Sequence, residues 1–145
     1  MKREETIDYN IKASWHAISR MYNQQAVKEG ITTSIGFVLV NIHSEFGTAA
    51  TKIAPMMGLE SRSLTRMLKS MEEKGLIYKK PDLTDKRSVR IFLTEKGHKK
   101  KLVSVGTVLK FNEKMYETID SEKLKIFFEV IGNINEIIDN NIYEK

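Results

Sequence analysis

There is no cysteine in the 145 residues. That excludes disulfides, thiolate metal sites and any switch, peroxide sensing included, that works through a thiol. Histidine is scarce as well: His16, His43 and His98 lie far apart on three expected helices, without an H-x-x-x-H pair. Capped or solvated rings are therefore expected ahead of a metal site. No apolar run approaches the roughly 20 residues needed to cross a bilayer. The opening Met1-Lys2-Arg3-Glu4-Glu5 leads into no apolar signal segment, so a cytoplasmic chain is expected. The eight glycines are scattered at helix ends and turns and build no phosphate-cradling loop. A G-x-S-x-G elbow and a paired-carboxylate motif are also missing. Catalysis needs convergent groups, and none stands at a recognisable spacing. The expectation is a protein that is not an enzyme and holds neither cofactor nor metal.

What the chain does have is charge in one place. Its net charge of +5 is modest, but residues 61–101 carry thirteen Lys/Arg against five Asp/Glu, whereas the remainder carries eleven against fourteen. A net of +8 concentrated in 41 residues is the electrostatic footprint expected of a nucleic-acid binder. A basic membrane-surface patch is the competing account, and the helical part is too short and polar for it. A hydrophobic content of 41% over this length suits a single domain with a sizeable core.

The charged stretch has an organised pattern. From Ser61 to Lys74, Leu64, Met67, Leu68 and Met71 fall at i, i+3, i+4 and i+7 and predict a helix with one buried face. The other face carries Arg62, Ser63, Thr65, Arg66, Lys69 and Ser70, the hydroxyl and cationic chemistry that touches phosphates and base edges. Gly75 suits a left-handed cap. Upstream, Ile53, Ala54, Met57 and Leu59 predict a short helix broken at Gly58, and two short helices about a tight turn read as helix-turn-helix. An ordinary αα-corner is the competing reading. Leu76 to Lys80 and Ser88 to Leu93 then predict two strands, with Val89, Ile91 and Leu93 alternating against Ser88, Arg90 and Phe92. The turn-rich link between them, residues 81–87, carries Lys86 and Arg87 at its tip, where either can lie along a minor groove. A hairpin in this position makes the pair of helices a winged helix.

The flanks read as support. One helix is expected over Thr6 to Lys28, with a buried stripe of Ile7, Ile11, Trp15, Ile18 and Tyr22. A second is expected from about Ser34 to Glu45, capped by Thr32 or Thr33, burying Ile35, Val38, Leu39 and Ile42, with Phe46 continuing the face. Gly36 inside it costs about 1 kcal/mol against alanine, a cost accepted where a neighbour comes close. Gly47-Thr48 should end that helix and cap the next, near Ala49, with Pro55 as a kink within it. After the wing, Thr94 can cap a long helix with the stripe Leu102, Val105, Leu109, Met115 and Tyr116, whose lysines 96, 99, 100 and 101 read as a solvated face. Asp120 or Ser121 caps a last helix carrying Leu124, Phe127, Phe128, Ile131, Ile134, Ile137, Ile138 and Ile142. So broad a stripe has more to bury than one side of a small domain offers, and a partner subunit is expected.

The wing run resembles that of the MarR family (multiple antibiotic resistance regulators), whose signature is roughly D-x-x-D-[KR]-R followed by a strand and L-T-x-x-G. It stands here as Asp82-Leu83-Thr84-Asp85-Lys86-Arg87, then Leu93-Thr94-Glu95-Lys96-Gly97, and the match reaches upstream through Leu64-Thr65-Arg66 and Glu72-Glu73-Lys74-Gly75-Leu76. The resemblance covers essentially the whole chain, the flanking helices only in pattern and length. It implies a mainly α fold with a β-hairpin wing: one domain over residues 1–145, with dimerisation helices at about 6–28 and 95–142 and a DNA-binding lobe at about 32–93. It implies a homodimeric transcriptional regulator on a palindromic double-stranded operator, a repressor released by a small-molecule ligand. Arg62, Ser63, Thr65 and Arg66 would approach the major groove, Lys69 and Lys86 the phosphates, and Arg87 the minor groove. Asp85 would hold the wing by pairing with basic neighbours. Many members bind small aromatic or amphipathic anions between the dimer helices and the DNA lobe, and Trp15, His16, Arg20 and Tyr22 are the candidates here, with plain core as the competing reading for Trp15 and Tyr22. The alternative function, from the residues alone, is a basic helical protein-interaction module that never reads DNA.

Overall fold

A computed structural model describes residues 1–143, so the last two residues of the expected 1–145 span lie outside the described residues. After a short 3₁₀ turn at Arg3–Glu5 come α1 (Ile7–Lys28), α2 (Thr33–Val40), β1 (Thr48–Ala49), α3 (Ala50–Met57), α4 (Ser61–Glu73), β2 (Ile77–Pro81), β3 (Val89–Leu93), α5 (Glu95–Thr118) and α6 (Ser121–Asp139). The chain forms two compact units, Met1–Thr107 and Val108–Lys145, with the boundary inside α5. No helix among the described residues is long and apolar enough to cross a membrane.

The first unit has one core. Ile35, Val38, Leu39 and Ile42 meet Ile53 and Ala54 of α3, Leu64, Leu68 and Met71 of α4, and Leu76, Ile77, Ile91 and Leu93 of the sheet. The expected stripe of α4 is thus the buried one, with Met67 packed at its margin. The hairpin is part of a three-stranded antiparallel sheet ordered β1-β3-β2, in which Thr48 faces Ile91 and Tyr78 faces Phe92.

Three expectations need correction. Helix α2 stops at Val40, not Glu45, because local polar groups capture the next backbone atoms. The Asn41 side chain donates to the Phe37 carbonyl, the Thr48 hydroxyl accepts from His43 N–H, and His43 Nδ1 accepts from the Glu45 and Phe46 amides. Such bonds compete with further helix turns. Phe46 therefore leaves the core face and is 61% exposed, stacked on His43. For the same reason Thr48 does not cap α3; it lies in β1. The α1 stripe is the third. Tyr22 is buried, but Ile7, Ile11 and Trp15 face solvent within one chain.

Helix α3 runs through Pro55 and closes at Gly58, whose φ of +63° is the left-handed region, with Leu59 N–H reaching the Ala54 carbonyl. Helix α4 closes the same way at Gly75, φ +71°, with Leu76 N–H on the Met71 carbonyl. From there α5 is stapled onto the end of α4. Thr94 Oγ1 donates to the Gly75 carbonyl and accepts from Gly97 N–H as the α5 cap, and Lys96 Nζ donates to the Lys74 carbonyl. Gly36 meets α5 closely, as its cost implied: a Cβ there would lie 3.2 Å from Ser104 Oγ.

In the second unit Asp120 caps α6 through Oδ1, which accepts from the Glu122 and Lys123 amides. Leu124 is buried, but Phe127 and Phe128 are 53% and 54% exposed, and Ile137, Ile138 and Ile142 are exposed as well.

The α4–α5 junction yields a test. A Cβ at Gly97 would lie 1.9 Å from the Leu76 carbonyl oxygen, a backbone atom that cannot move alone. Gly97→Ala should destabilise by about 3 kcal/mol or more, the upper range of overpacking. Gly106→Ala, in the same helix with nothing within 4 Å, should instead stabilise by about 1 kcal/mol. Denaturant melts of the two variants check both signs.

Candidate nucleic-acid interface

Helix α4 turns its apolar stripe inward, so periodicity alone puts Arg62, Ser63, Thr65, Arg66 and Lys69 on the outside, and all five are exposed. Lys86 and Arg87 are exposed at the wing tip. A groove of about 430 Å³ separates α3, α4 and the wing. It brings together Thr65 of α4 and Arg87 of the wing; the other five cations and hydroxyls lie outside its lining. Its apolar floor includes Ala54, Pro55, Leu64 and Leu68, and Thr51 and Ser61 add hydroxyls at the rim. Thr51, Ser61 and Leu59 were not foreseen as site residues. Their neighbourhood to the wing is a tertiary fact with no local signal.

The wing is held by Asp82, not Asp85. Asp82 is 5% exposed, and its Oδ1 accepts from the Thr84 hydroxyl (2.8 Å), the Thr84 amide (2.9 Å) and the Asp85 amide (3.2 Å). Its Oδ2 pairs with Arg90 Nη1 at 3.2 Å. Asp85 accepts the Arg87 amide at 3.0 Å, which shapes the tip but pairs no cation there. The role carried to Asp85 therefore belongs three residues earlier. An aspartate opening a turn and bonding the amide two residues on is a known Asx pattern, so the D-L-T-D run held the signal. The Thr84 hydroxyl foremost, then the Thr84 and Asp85 amides and last Arg90, hold the Asp82 carboxyl well below the usual carboxylate range, against the upward push of burial.

The four candidate ligand residues separate. Trp15 (50% exposed) stacks on Phe37 at 6.1 Å, and Tyr22 meets the same ring edge-on at 5.9 Å, its phenol pushed up by burial. His16 and Arg20 are exposed. Among the described residues no group of three His, Asp or Glu side chains is arranged to hold a metal ion.

A short helix, a left-handed turn, a second helix with exposed cations and a sheet-anchored wing define a winged helix-turn-helix. Residues 31–89 match the MarR family. The chain is 32% identical over 130 residues to the organic hydroperoxide resistance transcriptional regulator of Bacillus subtilis (strain 168), covering 88% of each. Its fold is like that of S. aureus MepR, solved with DNA (TM-score 0.79, 20% identity, 93% of this chain and 98% of that one). It is like that of CouR from Rhodococcus jostii RHA1, solved with p-coumaroyl-CoA (TM-score 0.78, 18% identity, 100% and 99%). This chain belongs to the MarR family.

The Asp82 geometry sets a pH dependence. Its folded pKa lies below the unfolded value of about 3.9. The stability it adds is therefore complete above that value and is lost as pH falls through the folded one. Asp82→Asn keeps the shape without the charge. It should be less stable than the parent by a constant margin from about pH 7 to about pH 5, and the margin should close below about pH 4. Urea melts across that range check it.

Proposed function

We propose that this chain is a sequence-specific DNA-binding transcriptional regulator, working in the cytoplasm as a homodimer whose operator affinity answers to a small molecule. The observation that carries the reading is the shared groove: Thr65 of the exposed cationic helix and Arg87 of the wing line it together. One rigid lobe can thus address a major groove and the adjoining minor groove. In this reading residues 32–93 are the DNA lobe and helices at about 6–28 and 95–142 build the dimer. Arg62, Ser63, Thr65 and Arg66 read base edges, Lys69 and Lys86 meet phosphates, and Arg87 enters the minor groove. The protein acts by binding rather than catalysis.

For the input, the Trp15–Phe37–Tyr22 cluster supplies an aromatic wall, with His16 and Arg20 beside it as polar partners for a small aromatic or amphipathic anion. Such a ligand changes DNA affinity only if it binds two arrangements of the protein unequally. The Bacillus subtilis relative is named for organic hydroperoxide resistance. With no cysteine, this chain has no thiol through which to take such a signal.

Duplex titration at several salt concentrations tests the reading. Steep loss of affinity with salt is expected, and absence of binding at low salt would favour a protein-docking module instead. Lys69→Ala and Lys86→Ala should weaken all sequences alike and flatten the salt slope by about one unit. Arg66→Ala should relax discrimination at one position by about 1–3 kcal/mol. Arg87→Ala should weaken binding most on A/T-rich flanks, and unchanged affinity would remove the wing from the interface.

Assembly has its own test. Half-sites about 10 bp apart require two lobes. The exposed face of α6, with Phe127, Phe128 and the half-buried Ile131, is the surface offered for pairing. Ile131→Asp would bury an unpaired charge there and should give monomer or aggregate by sedimentation; a well-folded parent monomer at micromolar concentration would refute the dimer.

A further inference from the structure

The Thr65 hydroxyl donates to the Ser61 carbonyl at 2.8 Å, one turn back along α4. A threonine hydroxyl has a single hydrogen, so its capacity to donate is taken up inside the helix. What Thr65 offers outward is a γ-methyl and the oxygen lone pairs. The residue is exposed, yet it borders a groove whose walls include Ala54, Pro55, Leu59 and Val89. On the same outer face Arg62, Arg66 and Lys69 are donors only, suited to guanine or phosphate acceptors. Thr65 is thus a methyl-bearing position without a free donor, set among three pure donors and the Ser63 hydroxyl. Of the four bases only thymine presents a methyl in the major groove, and an apolar contact to it is a recognised way of reading it.

We infer that Thr65 is a specificity-determining residue that selects a thymine by contact between its γ-methyl and the thymine C5-methyl. The inference rests on the DNA-binding reading above. A hydroxyl free to rotate would tolerate several bases, because it both donates and accepts; one tied to Ser61 does not. The competing possibilities are that the hydroxyl lone pairs accept from a base amine, or that Thr65 touches no base.

The test starts by selecting duplexes from a randomised pool with the full-length protein. Each thymine of the selected site is then replaced by deoxyuridine, which lacks only the methyl. At one thymine per half-site the parent should bind deoxyuridine about fourfold more weakly, the effect of about one buried methyl. Thr65→Val, which keeps the methyl and deletes the hydroxyl, should retain that sensitivity. Thr65→Ser, which does the reverse, should bind thymine and deoxyuridine alike there. Both changes are at an exposed position, and unchanged melting verifies the fold. Sensitivity that persists in Thr65→Ser, that vanishes in Thr65→Val, or that is found at no thymine overturns the inference. A pool that yields no enriched sequence overturns the regulator reading itself, an outcome distinct from a selected site whose thymine methyls are all dispensable.

Discussion

Arg90 reaches three acceptors with one guanidinium: Asp82 Oδ2 at 3.2 Å, the Phe46 carbonyl at 2.7 Å and, at the long limit of 3.5 Å, the Gly47 carbonyl. It stands on β3, the central strand, opposite Ala49 on one side and Lys80 on the other. The planar fork therefore ties the wing loop to the corner that leads into β1. A lysine could neutralise Asp82 but could not span three acceptors in a fixed geometry. Asp82 in turn gathers the Thr84 and Asp85 amides, which sets the course of the loop that presents Lys86 and Arg87. In the proposed interface a wing built this way would be ordered before it met DNA, so less conformational entropy would be lost on binding.

The other anchoring point is the start of α5. Its lysines read as a solvated face from sequence, and Lys99 is solvated, its side chain 76% exposed beside Glu95, but the other three are tethers. Lys96 caps the end of α4, Lys100 pairs with Glu29 beyond the end of α1 at 3.2 Å, and Lys101 donates to the Ile42 carbonyl and to Ser44 Oγ. Burial pushes the Lys101 ammonium down, and the Ile42 carbonyl gives it a compensating acceptor. Three long side chains thus bind the ends of three earlier elements to a single helix. Periodicity locates the Cα positions of such residues but not where a flexible four-carbon stem ends.

That contrast explains what was legible. The α4 stripe, the Gly58 and Gly75 turns, the wing and the Thr94 and Asp120 caps are written in local spacing and turn chemistry, and the structure has them. Strand β1 was not legible, because its two residues gain strand character only from Ile91 and Arg90, more than forty positions away. The end of α2 was lost to side-chain bonds from Asn41, His43 and Thr48, because the apolar spacing that runs on through Ile42 and Phe46 outweighs the stop that Asn41 offers. Asp85 was preferred to Asp82 because a motif ranks positions, whereas burial and the Arg90 contact decide which carboxylate is held. The outward set on α4 was readable as a face; that only Thr65 of it shares a groove with Arg87 was not.

From spacing the apolar stripe of α1 reads as buried, whereas that of α6 reads as more than one chain can cover; in a single chain both leave large apolar groups exposed. A stripe specifies that a face must leave water, not where it goes. Fully burying one side chain such as Phe128 or Ile137 contributes about 1.5–3 kcal/mol, and several exposed groups of this size exceed what an ordinary domain leaves uncovered. In the proposed dimer one interface would answer two needs. It would remove these faces from water, and it would set two DNA lobes at the spacing a palindrome requires, since one lobe alone offers a small contact. Folding, assembly and operator binding would then be linked equilibria: DNA that binds only the dimer stabilises the dimer, and the dimer stabilises helices whose apolar faces a lone chain leaves in water. A ligand lodged beside Trp15, on one of those same faces, would act on that linkage without touching a base.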